Sequence, residues 1–385
     1  MKQHLLIGLI TLLVAVGCRS HPTSPYTAVP ANEFVKQWEA DLTLNHRDEI
    51  AALHVIGDTL IAYTKDNHGY WLSASGGQLL AINKIAPRDL ELHPPVMLTD
   101  SVAIPTTSSI ETYDKAGKHL ASFATVGAVQ SDAAASGNSV FIGVSHPGSG
   151  RVTRFDIAPN FDVNWELWVP VGIASGPAVF GDSVFAADIN GEVWAVSLAR
   201  DALWNLPDNV FKTNATITAD LAADDFGVYV PSQDKKLYCL ERGTGKIKWS
   251  YYAGMPLVDQ PVVIGGVVYQ LVPGTGLAAI SKTDGKIARD AMWVQPIAKQ
   301  VLAADQQYLY VRVDRGAIVA LDKATGAPKF RSSRQDFESF ATNTTSSLIY
   351  AATKDGHVLA IRPVLRPGTV GEIVLFETPP SYMFD

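Results

Sequence analysis

A short apolar run, a polar or glycine-containing turn and a second apolar run recur along most of this chain. The first runs are LIAY at 60–63, VAIP at 102–105, VFIG at 140–143, VFAA at 184–187, VYVP at 228–231, VYQL at 268–271, LYVR at 309–312 and IYAA at 349–352. They start 38 to 44 residues apart. The second runs keep pace, as in GEVWAVS from Gly191, KLYCLE from Lys236, GAIVALD from Gly316 and GHVLAIR from Gly356. Runs this short, bounded by turn residues, predict strands. A fixed period of this length predicts a repeat architecture.

The stretch at 237–249, LYCLERGTGKIKW, is the best-preserved copy. Its first strand alternates as a half-buried strand does, and Thr244-Gly245 supplies a turn in which Gly takes positive φ without steric cost. A small, often Pro-containing strand precedes each unit. A fourth strand closes it, often at an aromatic: Phe123, Trp168, Trp204, Trp249, Trp293 or Phe330. Four antiparallel strands repeated radially make a β-propeller blade, so the expected fold is all-β with eight four-stranded blades over 34–385. The segment at 34–42 reads as an isolated fourth strand with Trp38 in the place of Trp249, able to join the chain ends. The segment at 371–376, GEIVLF, competes for that role.

The linker between third and fourth strands resembles the pyrroloquinoline quinone (PQQ) repeat, Ala-x-Asp-x-x-Thr-Gly-x-x-x-Trp. Cys239, Glu241, Thr244, Gly245 and Trp249 carry the resemblance. So do Ala320, Asp322, Thr325 and Gly326, with Phe330 in the Trp position. The resemblance implies that Trp38, Trp204, Trp249 and Trp293 dock one blade onto the next. Two branches of that family matter. Quinoprotein dehydrogenases bind PQQ and Ca²⁺, and carry a vicinal Cys pair and a longer chain, neither of which is present. The BamB-like lipoproteins of outer-membrane β-barrel assembly share the length and number of blades and are the closer resemblance.

The N-terminus changes the picture of where the chain works. Lys2, an apolar stretch at 5–16 and Ala15-Val16-Gly17-Cys18 have the proportions of a secretory signal, too short to span a membrane. The Cys after a small residue resembles the bacterial lipoprotein signal. That resemblance implies cleavage after residue 17 and acyl chains, palmitate among them, on Cys18. Arg19 follows where an Asp would favour inner-membrane retention, so the expected location is the outer membrane, facing the periplasm. Pro22, Pro25 and Pro30 make 18–33 an extended tether. With Cys18 acylated, Cys239 has no disulfide partner and reads as a buried small hydrophobe.

Candidate chemistry adds little. The net charge of −7 and the lack of a basic stripe argue against nucleic acid as a partner. No His pair has metal-ligand spacing, Gly274-Thr275-Gly276 opens a strand, and Asp224-Asp225 stands at a turn. No catalytic residue, metal or cofactor is therefore expected. Two regions remain as binding candidates. The entrances of the innermost strands bring His93, Asp132, Asp220, Asp259, Gln300 and Asn343 to the channel mouth, with Ser175 in the same series. There they form either a small-ligand site or a solvated funnel. The segment at 65–76 reads as a loop insertion whose Tyr70 and Trp71 serve either as partner-binding aromatics or as a cap on the first blade. The expected function is a non-catalytic scaffold binding envelope proteins, in the β-barrel assembly machinery as the resemblance implies. The alternatives are a PQQ/Ca²⁺-dependent dehydrogenase and a polysaccharide- or cell-wall-binding propeller.

Overall fold

A computed structural model describes residues 34–364, apart from 147, 159, 284–290 and 333–335. Eight antiparallel sheets follow one another along it as the blades of a propeller. Blade five is typical, with strands Ala222–Ala223, Val228–Ser232, Lys236–Leu240 and Ile247–Tyr252 paired in that order. Blade three gains a fifth strand, because Ala128–Val129 and Ala134–Ser136 both pair with Ser139–His146. The helical elements among the described residues are two 3₁₀ turns, Pro207–Asn209 and Asp314–Gly316.

Burial across a blade departs from simple alternation. Lys236–Leu240 is buried on both faces beyond its first residue, as is all of Val228–Ser232. Middle strands lie between neighbouring blades, so both faces need apolar residues. Alternation appears in the outermost strand, Ile247–Tyr252, where Trp249 and Tyr251 point inward and their neighbours face solvent. The half-buried reading of 237–249 thus holds for its fourth strand and not for its third.

The ends of the ring meet in blade eight. Phe34–Asp41 pairs antiparallel with His357–Pro363, from Phe34 opposite Pro363 to Asp41 opposite His357. This strand completes the sheet formed by Ser339–Phe340, Ile349–Ala352 and His357–Pro363. The competing segment at 371–376 lies outside the described residues, as do the signal, Cys18 and the tether.

Indole rings fill the wedges between blades. Trp38, Trp165, Trp204, Trp249 and Trp293 are all buried, and each Nε1–H donates to a carbonyl of the next blade. The acceptors are Ala74, Leu198, Arg242, Lys282 and Lys323, at 2.6 to 3.0 Å. The turn that receives the ring brings a glycine against it. A Cβ on Gly245 would stand 2.6 Å from Trp204, and one on Gly326 2.5 Å from Trp293. Both glycines have φ near +70°. The Thr-Gly turn therefore serves two needs, a left-handed residue and an open seat for the preceding blade's Trp.

Two aromatic readings are corrected here. In blade three the wedge is filled by Trp165, opposite Arg154 at a bulge, while Trp168 is 54% exposed with the Arg151 guanidinium 3.6 Å over its ring. The bulge shifts the inward face, so counting to the strand's end picks the wrong tryptophan. In blade one, 65–76 is no loop insertion. His68–Ser73 is the third strand, Tyr70 and Trp71 are buried, and neither is available as a surface contact. Trp71 fills the wedge from the third strand, opposite Ala81 on the fourth. In blades five, six and eight the small residue is on the third strand and the indole on the fourth, as with Cys239 opposite Trp249. Trp71 packs against Tyr113 and would meet a Cβ on Gly117 at 2.7 Å, the same seat reached from the neighbouring strand. Its buried Nε1 has no partner.

Trp249→Ala is expected to lower unfolding stability by about 3–5 kcal/mol through the cavity it leaves. Trp71→Ala should cost a similar amount, and adding Ala81→Trp should recover most of it. Urea denaturation of the three variants measures this, and no recovery in the double variant would refute the strand-exchange account.

Candidate binding face at the channel mouth

In every blade the first strand begins, and the fourth strand ends, on one side of the disc, which is the side of the channel mouth. The connections leading into the innermost strands carry the residues named from sequence. The structure divides them into two groups.

The first group converges. His93 of blade two is buried, and its Nδ1–H donates to Asp132 Oδ1 of blade three at 3.1 Å. Asp220 of blade five lies beside Asp132, since a Cβ on Gly176 would stand 2.8 Å from the Asp220 carboxyl and 3.0 Å from the Asp132 carbonyl, and the Asp132 charge acts on it. The Gly176 amide of blade four donates to Asp220 Oδ1 at 2.5 Å. Two residues from blade one, not foreseen from the sequence, join this cluster. The Tyr63 hydroxyl donates to the His93 carbonyl at 3.3 Å, and the His54 ring lies 4.7 Å from that of Tyr63. Their signal was weak, since both sit within apolar runs that read as core.

The electrostatics follow from burial and from charges of like and unlike sign. Burial and the adjacent Asp132 charge push the Asp220 carboxyl up to about 7. Burial alone would lower His93, but its hydrogen bond to Asp132 and the Asp132 charge hold it above the usual histidine value. Burial brings His54 down to about 4, so it is neutral at pH 7.

The second group is occupied in structural bonds. Asn343 is buried; its Nδ2 donates to Ser346 Oγ and the Leu348 carbonyl, and its Oδ1 accepts from the 345 and 346 amides. Gln300 Nε2 donates to the Phe340 carbonyl of the next blade at 3.3 Å. The Asp259 carbonyl accepts from Gln270 Nε2, and burial raises the Asp259 carboxyl. Ser175, the exception in this group, is fully buried and its Oγ has no hydrogen-bond partner.

Around the mouth the same connections expose apolar side chains. Met255 and Val258 lie on the connection into blade six, 44% and 50% exposed. Ile189 stands on the blade-four turn, and its amide donates to the Gly172 carbonyl. Val126 is 68% exposed on the connection into blade three. Sequence reading passed over these four, because single apolar residues in loops carry no periodic signal.

Glu111, His119 and Ser122 meet in blade two, but one nitrogen, His119 Nε2, faces both Glu111 Oε2 at 3.1 Å and Ser122 Oγ at 3.2 Å. A relay needs two different nitrogens, so the cluster is a hydrogen-bond network. Among the described residues no three His, Cys, Asp or Glu side chains are grouped to hold a metal ion. The mouth does not suit PQQ either. That cofactor is a tricarboxylate, and the mouth presents the Asp132 and Asp220 carboxyls.

A family model described as outer membrane protein assembly factor BamB matches residues 199–297 and 276–363. BamB of Yersinia pestis is 32% identical over 119 residues, 29% of this chain and 30% of that protein. BamB of Nitrosomonas eutropha is 26% identical over 154 residues, 38% of this chain and 36% of that protein. Over residues 199–363 this eight-bladed propeller is similar to BamB. The aligned stretches span about a third of those relatives' length. Among solved structures, BamB from Moraxella catarrhalis superposes with a TM-score of 0.65 at 13% identity, covering 86% of this chain and 97% of that one. The designed protein Ika8 gives 0.64 at 15% identity, covering 84% and 98%. At these identities the likeness speaks for the fold. The BamB-like sequence match begins in blade four and takes in Trp204, Trp249 and Trp293, each of which fills a wedge.

Asn343→Ala should cost about 1–3 kcal/mol, since it strips a buried turn of its bonds. Gln300→Ala, with longer contacts, should cost under about 1 kcal/mol. Chemical denaturation distinguishes them, and equal costs would contradict the ranking of these two residues by the number and length of their bonds.

Proposed function

We propose that this BamB-like propeller is a non-catalytic scaffold, held by an acylated Cys18 at the outer membrane and facing the periplasm. There it binds envelope proteins engaged in β-barrel assembly. The observation that carries the reading is the BamB match together with a mouth-side rim that exposes Ile189, Met255 and Val258. Apolar side chains on loops of a rigid scaffold are suited to protein contact, and the disc supplies that rigidity. The chain is divided accordingly into a signal at 1–17, a lipidated tether at 18–33 and the propeller. No helix among the described residues is long and apolar enough to cross a membrane. In this reading the acyl chains on Cys18 supply the attachment.

The test is co-purification from solubilised envelopes. Wild type should recover barrel-assembly components, and a variant with Ile189→Asp, Met255→Asp and Val258→Asp should recover at least tenfold less at an unchanged Tm. Cys18→Ser should abolish palmitate labelling and release the chain from the membrane fraction. Recovery of no barrel-assembly component by wild type would refute the assembly role.

A further inference from the structure

The mouth cluster joins four blades through three side chains and one backbone amide. His93 enters from blade two, Asp132 from blade three, Gly176 from blade four and Asp220 from blade five. Asp132 is the movable member, with 41% of its side chain exposed, while His93 is 6% exposed. Asp220 is pinned by the Gly176 amide, and a Cβ on Gly176 would stand 2.8 Å from its carboxyl. Asp132 therefore has two holds, His93 on one side and Asp220 on the other. The hold on Asp220 needs a proton between the two carboxyls, because two bare carboxylates repel.

We propose that the channel mouth is a proton-operated clamp: a proton held between Asp132 and Asp220 ties blades two to five together. Its loss frees Asp132 towards solvent and loosens the entrances of those blades. The clamp goes beyond the scaffold reading and stands or falls separately from it.

The groups facing the clamp act consistently. Glu91 adds negative charge beside His93 and favours its protonated form. Tyr63 is kept neutral by burial, its value raised well above the ordinary one. His54 is neutral above about 4 and places no positive charge against Asp132 at pH 7. The sign of the linkage follows. Asp220 has a folded-state value of about 7, above the ordinary 3.8, so its stabilising contribution is present at low pH and is lost as pH rises towards 7. His93 is also raised, so its contribution is present below the ordinary 6.5 and is lost as pH rises above that. Both changes loosen the mouth in the same direction. At the acid end His54 opposes them, losing stability as pH falls from 6.5 towards 4.

Amide hydrogen exchange of the full mature chain at pH 5.5 and pH 8.0, corrected for intrinsic rates, tests the clamp. Protection of residues 130–136, 175–178 and 219–223 should fall about tenfold at pH 8.0, the equivalent of one pKa unit. The inner strands of blades six to eight serve as the internal control. Asp220→Asn keeps a donor towards Asp132 at every pH and should cut the difference to the smaller part that His93 contributes. Equal protection at both pH values in wild type, or the same loss in Asp220→Asn, would overturn the clamp. If that variant does not fold, carboxyl NMR of the wild type decides. Asp220 titrating near 7 supports the proposal, and titration near 4 overturns it.

Discussion

The structure depends on one contact, repeated around the disc: an indole from one blade laid against a turn of the next. Radial sheets diverge outward, and a flat, wide side chain fills the widening gap better than an aliphatic one. The contact is directional, because the indole N–H reaches a carbonyl at the start of the receiving turn, as Trp204 does at Arg242 and Trp293 at Lys323. It also fixes the receiving residue, since Gly245 and Gly326 leave no room for a Cβ. Within one repeat the glycine and the tryptophan consequently serve different interfaces. Trp38 applies the same contact between the closing strand and blade one, so closure of the ring is a further copy of the repeat interaction.

The repeat was legible because strand length, turn chemistry and period agree at every copy. Closure by 34–42 was legible as one of two candidates, because a lone fourth strand with a tryptophan fits the open place but 371–376 offered a second strand for it. Trp71 was not legible as core. Its wedge is filled from the third strand, and a repeat read by alignment expects an alanine there. Trp165 and Trp168 were exchanged for a related reason, a bulge that moves the inward face by one residue. At the mouth, position within the repeat placed His93, Asp132 and Asp220 on one rim. Their contacts depend on side-chain reach, and so do the bonds that occupy Asn343 and Gln300.

The two halves of the chain solve the wedge differently. From blade four onward the wedge is filled from beyond the third strand, by Trp204 before Val210–Lys212, by Trp249 and Trp293 on the fourth strand and by Phe330 in blade seven, and this is where the BamB-like match lies. Blades one to three use Trp71 on the third strand, the stacked pair Phe123 and Phe161 at 4.2 Å, and Trp165 at a bulge. Packing is thus conserved in volume while residues move between strands, as close-packed interiors permit. With the wedges satisfied, the mouth-side connections are free to carry Ile189, Met255 and Val258 beside the proton-sharing cluster. One side of the disc is therefore the face suited to recognition.

Site-specific photo-crosslinking in intact cells tests that assignment most directly. A photoreactive residue at Met255, on the mouth side, should give discrete adducts with envelope proteins of the barrel-assembly machinery. The same residue at Leu120, exposed on the outer strand of blade two, should give none. Adducts from Leu120 with none from Met255 would contradict the account.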